Sequence, residues 1–318
     1  MTMAESSIDL PMASQAGIPA GLDADEQSVK RLGAYLTLPT QILLAFIVIF
    51  PLLMELYISF TSWTPLSGKS WLVAYRFWAG LDNYLEVVTN FRFWQSIGRT
   101  LLIMGVCVPI ELLFGLGLAL LFTADFRGKR LFYSTILMPM MVVPSVAGYM
   151  FFMLFQSGGP INGILSALSG NTVSVAWLSQ PNLALLAVMI ADIWQWTPLM
   201  FLILLAGLLG VPEDQMRMAT LLGAGPWARF RFIVLPRIRR ILLIALVIRM
   251  IEIFKVFDTL FIMTAGGPGI STESISVYIY KVTMQDLQWS YVATIALLIL
   301  IVLSAVGAPA IKRFAATR

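Results

Sequence analysis

The chain has 318 residues, 59% of them apolar and only 12% charged, with a mean hydropathy of +0.85. A soluble protein of this size needs far more polar surface, so the composition excludes that class and points to the membrane. The net charge is +4, with no basic face interleaved with aromatics, which argues against nucleic acid; a single cysteine (Cys107) and no histidine exclude an internal disulfide, His-dependent catalysis and histidine metal sites.

Residues 1–31 hold five acidic residues ahead of the basic pair Lys30 and Arg31, and lack the basic start and short apolar core of a signal peptide. They are expected to form a disordered cytosolic tail. Residues 32–318 are expected to form one membrane domain. Six apolar runs long enough to cross a bilayer, about 20 residues each, lie near 36–60, 100–122, 132–155, 183–209, 241–263 and 291–311. Pro39, Pro51, Pro109, Pro139, Pro144 and Pro198 interrupt them, as membrane helices allow when the freed carbonyls find partners in the bundle. Fourteen basic residues fall in the tails and the even-numbered connections, against five (Lys69, Arg76, Arg92, Arg99 and Lys281) on the other side. Both termini are therefore expected in the cytosol.

Between the first two runs, Ser67-Gly68-Lys69-Ser70 looks like the end of a phosphate-binding loop, but Trp63 occupies the position that requires the first glycine. ATP cannot be bound by that route, so any ATP-derived energy has to come from a partner. Glu111 in the second run is expected to pair inside the bundle. In the fourth run, Asp192, Trp194, Gln195 and Trp196 set aromatic faces beside a carboxylate and an amide, a combination that suits sugars; tryptophan packing beside a satisfied polar pair is the structural alternative.

The connection 213–240 is the most informative. Gly223-Ala224-Gly225-Pro226 separates two short helical segments: glycine permits the turn and proline suits the first position of the next helix. Trp227, Phe230, Arg231 and Val234 share a face by their spacing. Such a face fits either a pocket on another protein or anionic lipid headgroups. In the fifth run Arg249, Glu252, Lys255 and Asp258 alternate in sign every three residues. Each neighbouring pair can meet on the helix surface, making either a self-neutralising ladder or part of a translocation path.

The segment Ala219-x3-Gly223-Ala224-x5-Phe230-x2-Ile233-x-Leu235-Pro236 resembles the EAA loop of binding-protein-dependent ABC importer permeases. Gly80-Leu81-Asp82-Asn83-Tyr84 with Phe91-Arg92-Phe93-Trp94, Trp196-Thr197-Pro198 before Val211-Pro212-Glu213, and Lys255-Val256-Phe257-Asp258 before Gly266-Gly267-Pro268-Gly269 and Thr272-Glu273 are similar to the carbohydrate branch of that family, which includes maltose, glycerol-3-phosphate and polyol importers. The resemblance runs from about residue 32 to the end. It implies an all-α, six-helix transmembrane permease core whose loop 213–236 acts as a coupling helix through Arg217, Ala219, Gly223, Ala224, Trp227, Phe230, Ile233, Leu235 and Pro236. It also implies an ABC ATPase dimer carrying ATP and Mg, a second and different permease subunit, an extracytoplasmic solute-binding protein, and no cofactor in this chain. Asp192, Trp194, Gln195, Trp196, Glu252, Lys255 and Asp258 are the candidates for the substrate path. This chain has Arg217 and Leu222 where the family usually has Glu and Asp, and Met218 where it has alanine. An ion-coupled secondary transporter is the rival reading, although no inverted repeat is visible; a membrane-embedded enzyme has no catalytic spacing to rest on.

Overall fold

The computed structural model describes residues 21–315, all in helices, turns and loops apart from one antiparallel bridge between Thr61 and Trp78. The helices are α1 (Gly21–Ser59), α2 (Asp82–Thr89), α3 (Phe91–Leu121), α4 (Lys129–Met141), α5 (Pro144–Leu154), α6 (Pro160–Ser169), α7 (Pro181–Leu209), α8 (Glu213–Leu221), α9 (Pro226–Arg229), α10 (Leu235–Phe254), α11 (Asp258–Thr264), α12 (Ile275–Met284) and α13 (Trp289–Ala315). The chain divides into two units, Met1–Tyr57 and Ile58–Arg318.

The first unit holds α1 as far as Tyr57; that helix contains Pro39 and Pro51, and its stretch from Arg31 to Ser59 is long and apolar enough to cross a membrane. Residues 1–20 of the expected disordered tail lie outside the described residues, but 21–31 continue α1 as helix, contrary to expectation. Extending an existing helix adds a hydrogen bond for each residue fixed.

Among the described residues of the second unit, α3 and α7 are the uninterrupted helices long and apolar enough to span. They approach closely because Gly115 has no side chain. A Cβ there would sit 2.7 Å from the Met200 Cβ and 2.9 Å from the Phe201 nitrogen, leaving no room for a larger residue. Membrane helices use small residues this way, since apolar burial gives little driving force in lipid. The buried side chains form three groups. One contains Ile103, Met189, Met200, Leu260 and Met263, a second Phe122, Phe201, Leu204, Val234 and Ile238, the last two from the 213–240 connection, and a third Phe93, Ile275, Tyr278, Tyr291 and Ile295.

Two of the expected spans are broken. The run 132–155 divides into α4 and α5, bent by 96°. Pro144 forces the residue before it out of helical geometry, and Val143 is extended at φ −59°, ψ 135°. The run 241–263 divides at Lys255–Phe257 into α10 and α11. The breaks interrupt the helical hydrogen bonding, and three backbone carbonyls beside them accept from side chains. Gln195 Nε2 donates to the Val142 oxygen at 2.9 Å, Thr259 Oγ1 to the Pro144 oxygen at 3.0 Å, and Ser274 Oγ to the Val256 oxygen at 3.2 Å. This is what a membrane interior demands of non-helical backbone. The two breaks are held together by the close packing of α5 on α11, where a Cβ on Gly148 would come within 3.0 Å of the Thr259 Cα.

Candidate translocation cavity and coupling loop

Three charged residues meet in the bundle interior. Arg249 of α10 donates through Nε to Glu111 Oε2 of α3 at 2.6 Å, and through Nη2 to Glu111 Oε1 at 2.9 Å and to Asp192 Oδ2 of α7. All three are buried, with exposures of 1%, 0% and 2% for Arg249, Glu111 and Asp192. The arginine fork matches carboxylate geometry, which is how buried charge is tolerated in a poorly solvating interior. The guanidinium also lies over the Trp196 ring, 5.1 Å from its centroid.

The alternating charges 249–258 therefore do not form one ladder. Arg249 turns inward to carboxylates on two other helices, and only Glu252 and Lys255 pair along the chain, at 3.0 Å. The helix ends at Phe254, so Asp258 opens α11 instead. There it is exposed, in a first turn where the helix dipole favours a carboxylate.

A cavity of about 220 Å³ lies at the two helix breaks, walled by Pro144, Trp196, Phe257 and Thr259 and by the charged groups Arg249, Glu252, Lys255 and Asp258. Of the seven residues singled out from the sequence for the substrate path, Trp196, Glu252, Lys255 and Asp258 line it. The other three do not. Trp194 packs edge-on against Phe151 at 5.3 Å, Gln195 supports the Val142 carbonyl, and Asp192 holds Arg249. Phe257 and Thr259 entered no candidate set; the unusual polarity of 255–259 within an apolar run was the available signal. Phe257 stacks on Phe261 at 5.0 Å and meets Tyr280 at 5.0 Å, so this wall is aromatic and braced from α12.

A second polar centre escaped the spacing rules because its parts lie far apart in sequence. Glu273 accepts from Arg92 Nε and Nη2, both at 2.9 Å, and from Lys281 Nζ at 3.1 Å, while Arg99 Nε donates to its backbone oxygen at 2.9 Å. Burial pushes the Glu273 carboxyl up, but the hydrogen bonds and charges of Arg92 and Lys281 outweigh it and hold the group below its ordinary range. Thr100 Oγ1 accepts from the Ile275 nitrogen at 2.9 Å, so the loop between α11 and α12 is strapped to the start of α3.

The 213–240 connection folds as α8, a turn, α9, one π-helical turn over Phe230–Val234, and then α10. Gly223 takes φ +80°. The turn closes with Gly223 N donating to the Thr220 oxygen at 3.0 Å and Ala224 N to the Ala219 oxygen at 2.9 Å. That is the paired capping pattern for which glycine is suited at a helix C-terminus. The face expected to join Trp227, Phe230, Arg231 and Val234 is divided. Val234 is buried and Phe230 packs on the same core group, whereas Trp227 is 71% exposed and stacks on Phe230 at 5.7 Å. Ala219, Ala224, Ile233 and Leu235 are half-buried, and Arg217 and Pro236 are exposed. Arg217 is tied to Glu213 at 2.7 Å, and Arg229 Nη1 donates to Thr220 Oγ1 at 2.8 Å, joining α9 to α8.

Residues 78–311 match the family described as binding-protein-dependent transport system inner membrane component. A probable ABC transporter permease from Sinorhizobium fredii is 33% identical over 88% of each chain. The trehalose/maltose transport system permease MalF of Thermococcus litoralis is 34% identical over 75% of this chain and 82% of its own. The fold is similar to that of a chain in a bacterial ABC transporter that imports the acidic polysaccharide alginate, with a TM-score of 0.72, 21% identity, and coverage of 88% of this chain and 94% of that one; a further structure shows that kind of transporter with an alginate pentasaccharide-bound periplasmic protein. The chain belongs to the family of inner-membrane components of binding-protein-dependent transport systems, an ABC transporter permease rather than an enzyme.

Proposed function

We propose that the chain is one permease subunit of an ATP-driven importer for a sugar, polyol or related carbohydrate. The cavity at the two helix breaks carries this reading. The Trp196 and Phe257 rings offer apolar faces for C–H surfaces, and Glu252, Lys255, Asp258 and Thr259 offer hydrogen bonds to hydroxyls at membrane depth. The trehalose/maltose permease among the relatives supports a carbohydrate, and the fold shared with the alginate transporter is compatible with one.

In this reading both termini are cytosolic, as is the 213–236 loop, which docks on an ABC ATPase dimer that carries ATP and Mg. A second, different permease completes the membrane core, and an extracytoplasmic solute-binding protein delivers the carbohydrate. ATP-driven closure of the ATPase pair moves the loop and switches the core between outward- and inward-open states. Gentle solubilisation of the tagged chain from its native host is expected to recover an ATPase and a second permease, identified by mass spectrometry. Recovery of the chain alone under conditions that preserve other membrane complexes would contradict the proposal.

A further inference from the structure

A second cavity lies at the far end of α5 from the first. Pro144, where α5 starts, borders the cavity at the helix breaks. Phe152 and Phe155, where α5 ends, border a separate space of about 310 Å³ closed by Gln156, Ser157, Trp177 and Ser179. That volume falls within the range of small-ligand sites, about 300–1,000 Å³. The 11 residues of α5 set the two spaces about 16 Å apart along the helix, at 1.5 Å per residue.

One buried amide fixes the walls. Asn162 of α6 is 2% exposed. Its Nδ2 donates to the Ser157 and Val175 oxygens, both at 2.9 Å, and its Oδ1 accepts from Trp177 Nε1 at 3.0 Å. A single side chain thus ties the turn after α5 to the segment that carries Trp177. Gly159 keeps the same turn tight, since a Cβ there would stand 2.6 Å from the Met153 and Leu154 oxygens. The Trp177 ring is seated against Phe155, with centroids 5.4 Å apart. Ring and turn are therefore preorganised.

The polar part of the lining carries no charge. Gln156, Ser157 and Ser179 are exposed, and among the described residues their side chains make no hydrogen bond. No charged residue stands between Arg130 and Asp192 in the sequence, whereas the first cavity has Arg249, Glu252, Lys255 and Asp258 in its walls. Aromatic surface suits the C–H faces of a sugar, and an amide with two hydroxyls suits its own hydroxyls. An acidic sugar would lose water here with no cation to replace it.

Building on the function proposed above, which places the connection 156–180 outside the cell, we propose that this cavity is an entry subsite for a neutral carbohydrate. The sugar rests on Trp177 before it passes along α5 to the cavity at the helix breaks.

The test is protection of a thiol placed at the rim. Cys107 is buried, so Ser179→Cys gives this chain one accessible thiol, read with a membrane-impermeant maleimide on the full complex. The reagent is expected to label it from outside intact cells. In the purified complex, at least one of maltose, trehalose and glucose at about 10 mM, tenfold above a millimolar Kd, should slow labelling about fivefold or more. Glucuronate at the same concentration should slow it less than about twofold. Thr172→Cys, exposed and outside the cavity, should label at one rate throughout. Gly158 lines the cavity, and a Cβ on it meets nothing within 4 Å, so Gly158→Trp can fill the space without disturbing the fold. Added to Ser179→Cys, it should abolish the effect of the sugar.

Labelling that no neutral sugar slows would overturn the proposal and leave the importer reading standing. So would equal protection by glucuronate, protection at Thr172→Cys, or protection that survives Gly158→Trp. A Ser179→Cys thiol that reacts in the solubilised complex but never from outside the cell would overturn the orientation on which the proposed function itself rests.

Discussion

Replacing Arg249 by alanine is expected to destabilise the membrane domain by about 3–5 kcal/mol, the scale of breaking a buried ion pair by removing one partner. The reason lies in what remains. Glu111 and Asp192 both bond the same guanidinium and both are buried, so its removal leaves two facing carboxylates with no cation in reach. The Trp196 ring loses its stacked neighbour as well. Thermal unfolding of the purified complex in detergent reads the effect as a lower midpoint. Adding Glu111→Gln and Asp192→Asn to the Arg249→Ala chain should recover a large part of the loss, because the penalty comes from uncompensated charge. An unchanged midpoint in the single variant would mean that the triad contributes nothing to the fold.

Replacing Gly223 by valine should abolish coupling while leaving the membrane domain folded. Gly223 sits at φ +80° with no atom within 4 Å of where a Cβ would stand, so the obstacle is backbone conformation and not crowding. A non-glycine residue is costly in that region, roughly 1–2 kcal/mol, and more for a β-branched side chain. The turn should reopen, losing the hydrogen bonds from Gly223 and Ala224 to the end of α8 and displacing α9 from α8. Uptake is expected to fall by about tenfold or more, with the chain still inserted in the membrane. Gly223→Ala should lie between the two. Full uptake by Gly223→Val would count heavily against a coupling role for this loop.

How much of this was legible in the sequence depends on the range of the interaction. Apolar run length marked where membrane-crossing segments lie, and α3 and α7 match the runs 100–122 and 183–209 in their apolar extent. The turn at Gly223 was readable because glycine and proline act locally. Pro144 hinted at the first helix break, but its 96° bend depends on what receives the carbonyls freed at Val142 and Pro144. The second break has no such marker, since Lys255-Val256-Phe257 contains neither glycine nor proline and the Val256 carbonyl is satisfied by Ser274, 18 residues on.

The charged sites show the same boundary. A three-residue spacing suggests pairs along one helix, and it holds for Glu252 with Lys255. It fails for Arg249, whose partners are 138 and 57 residues away on other helices. Glu273 was visible only as part of a motif, because Arg92 and Arg99 reach it from more than 170 residues away. Spacing on one element cannot reveal charge partners that tertiary packing selects.

In the proposed function this chain moves a carbohydrate only when an ATPase drives it. It is tested most directly by reconstituting the purified complex in liposomes with its binding protein, loaded with the carbohydrate that protein carries when isolated. Accumulation inside the vesicles that needs ATP on the side of the 213–236 loop, and survives collapse of proton and sodium gradients, is the predicted result. Accumulation by the chain alone, driven by an ion gradient and indifferent to ATP, would contradict the proposed function and make the chain a secondary transporter.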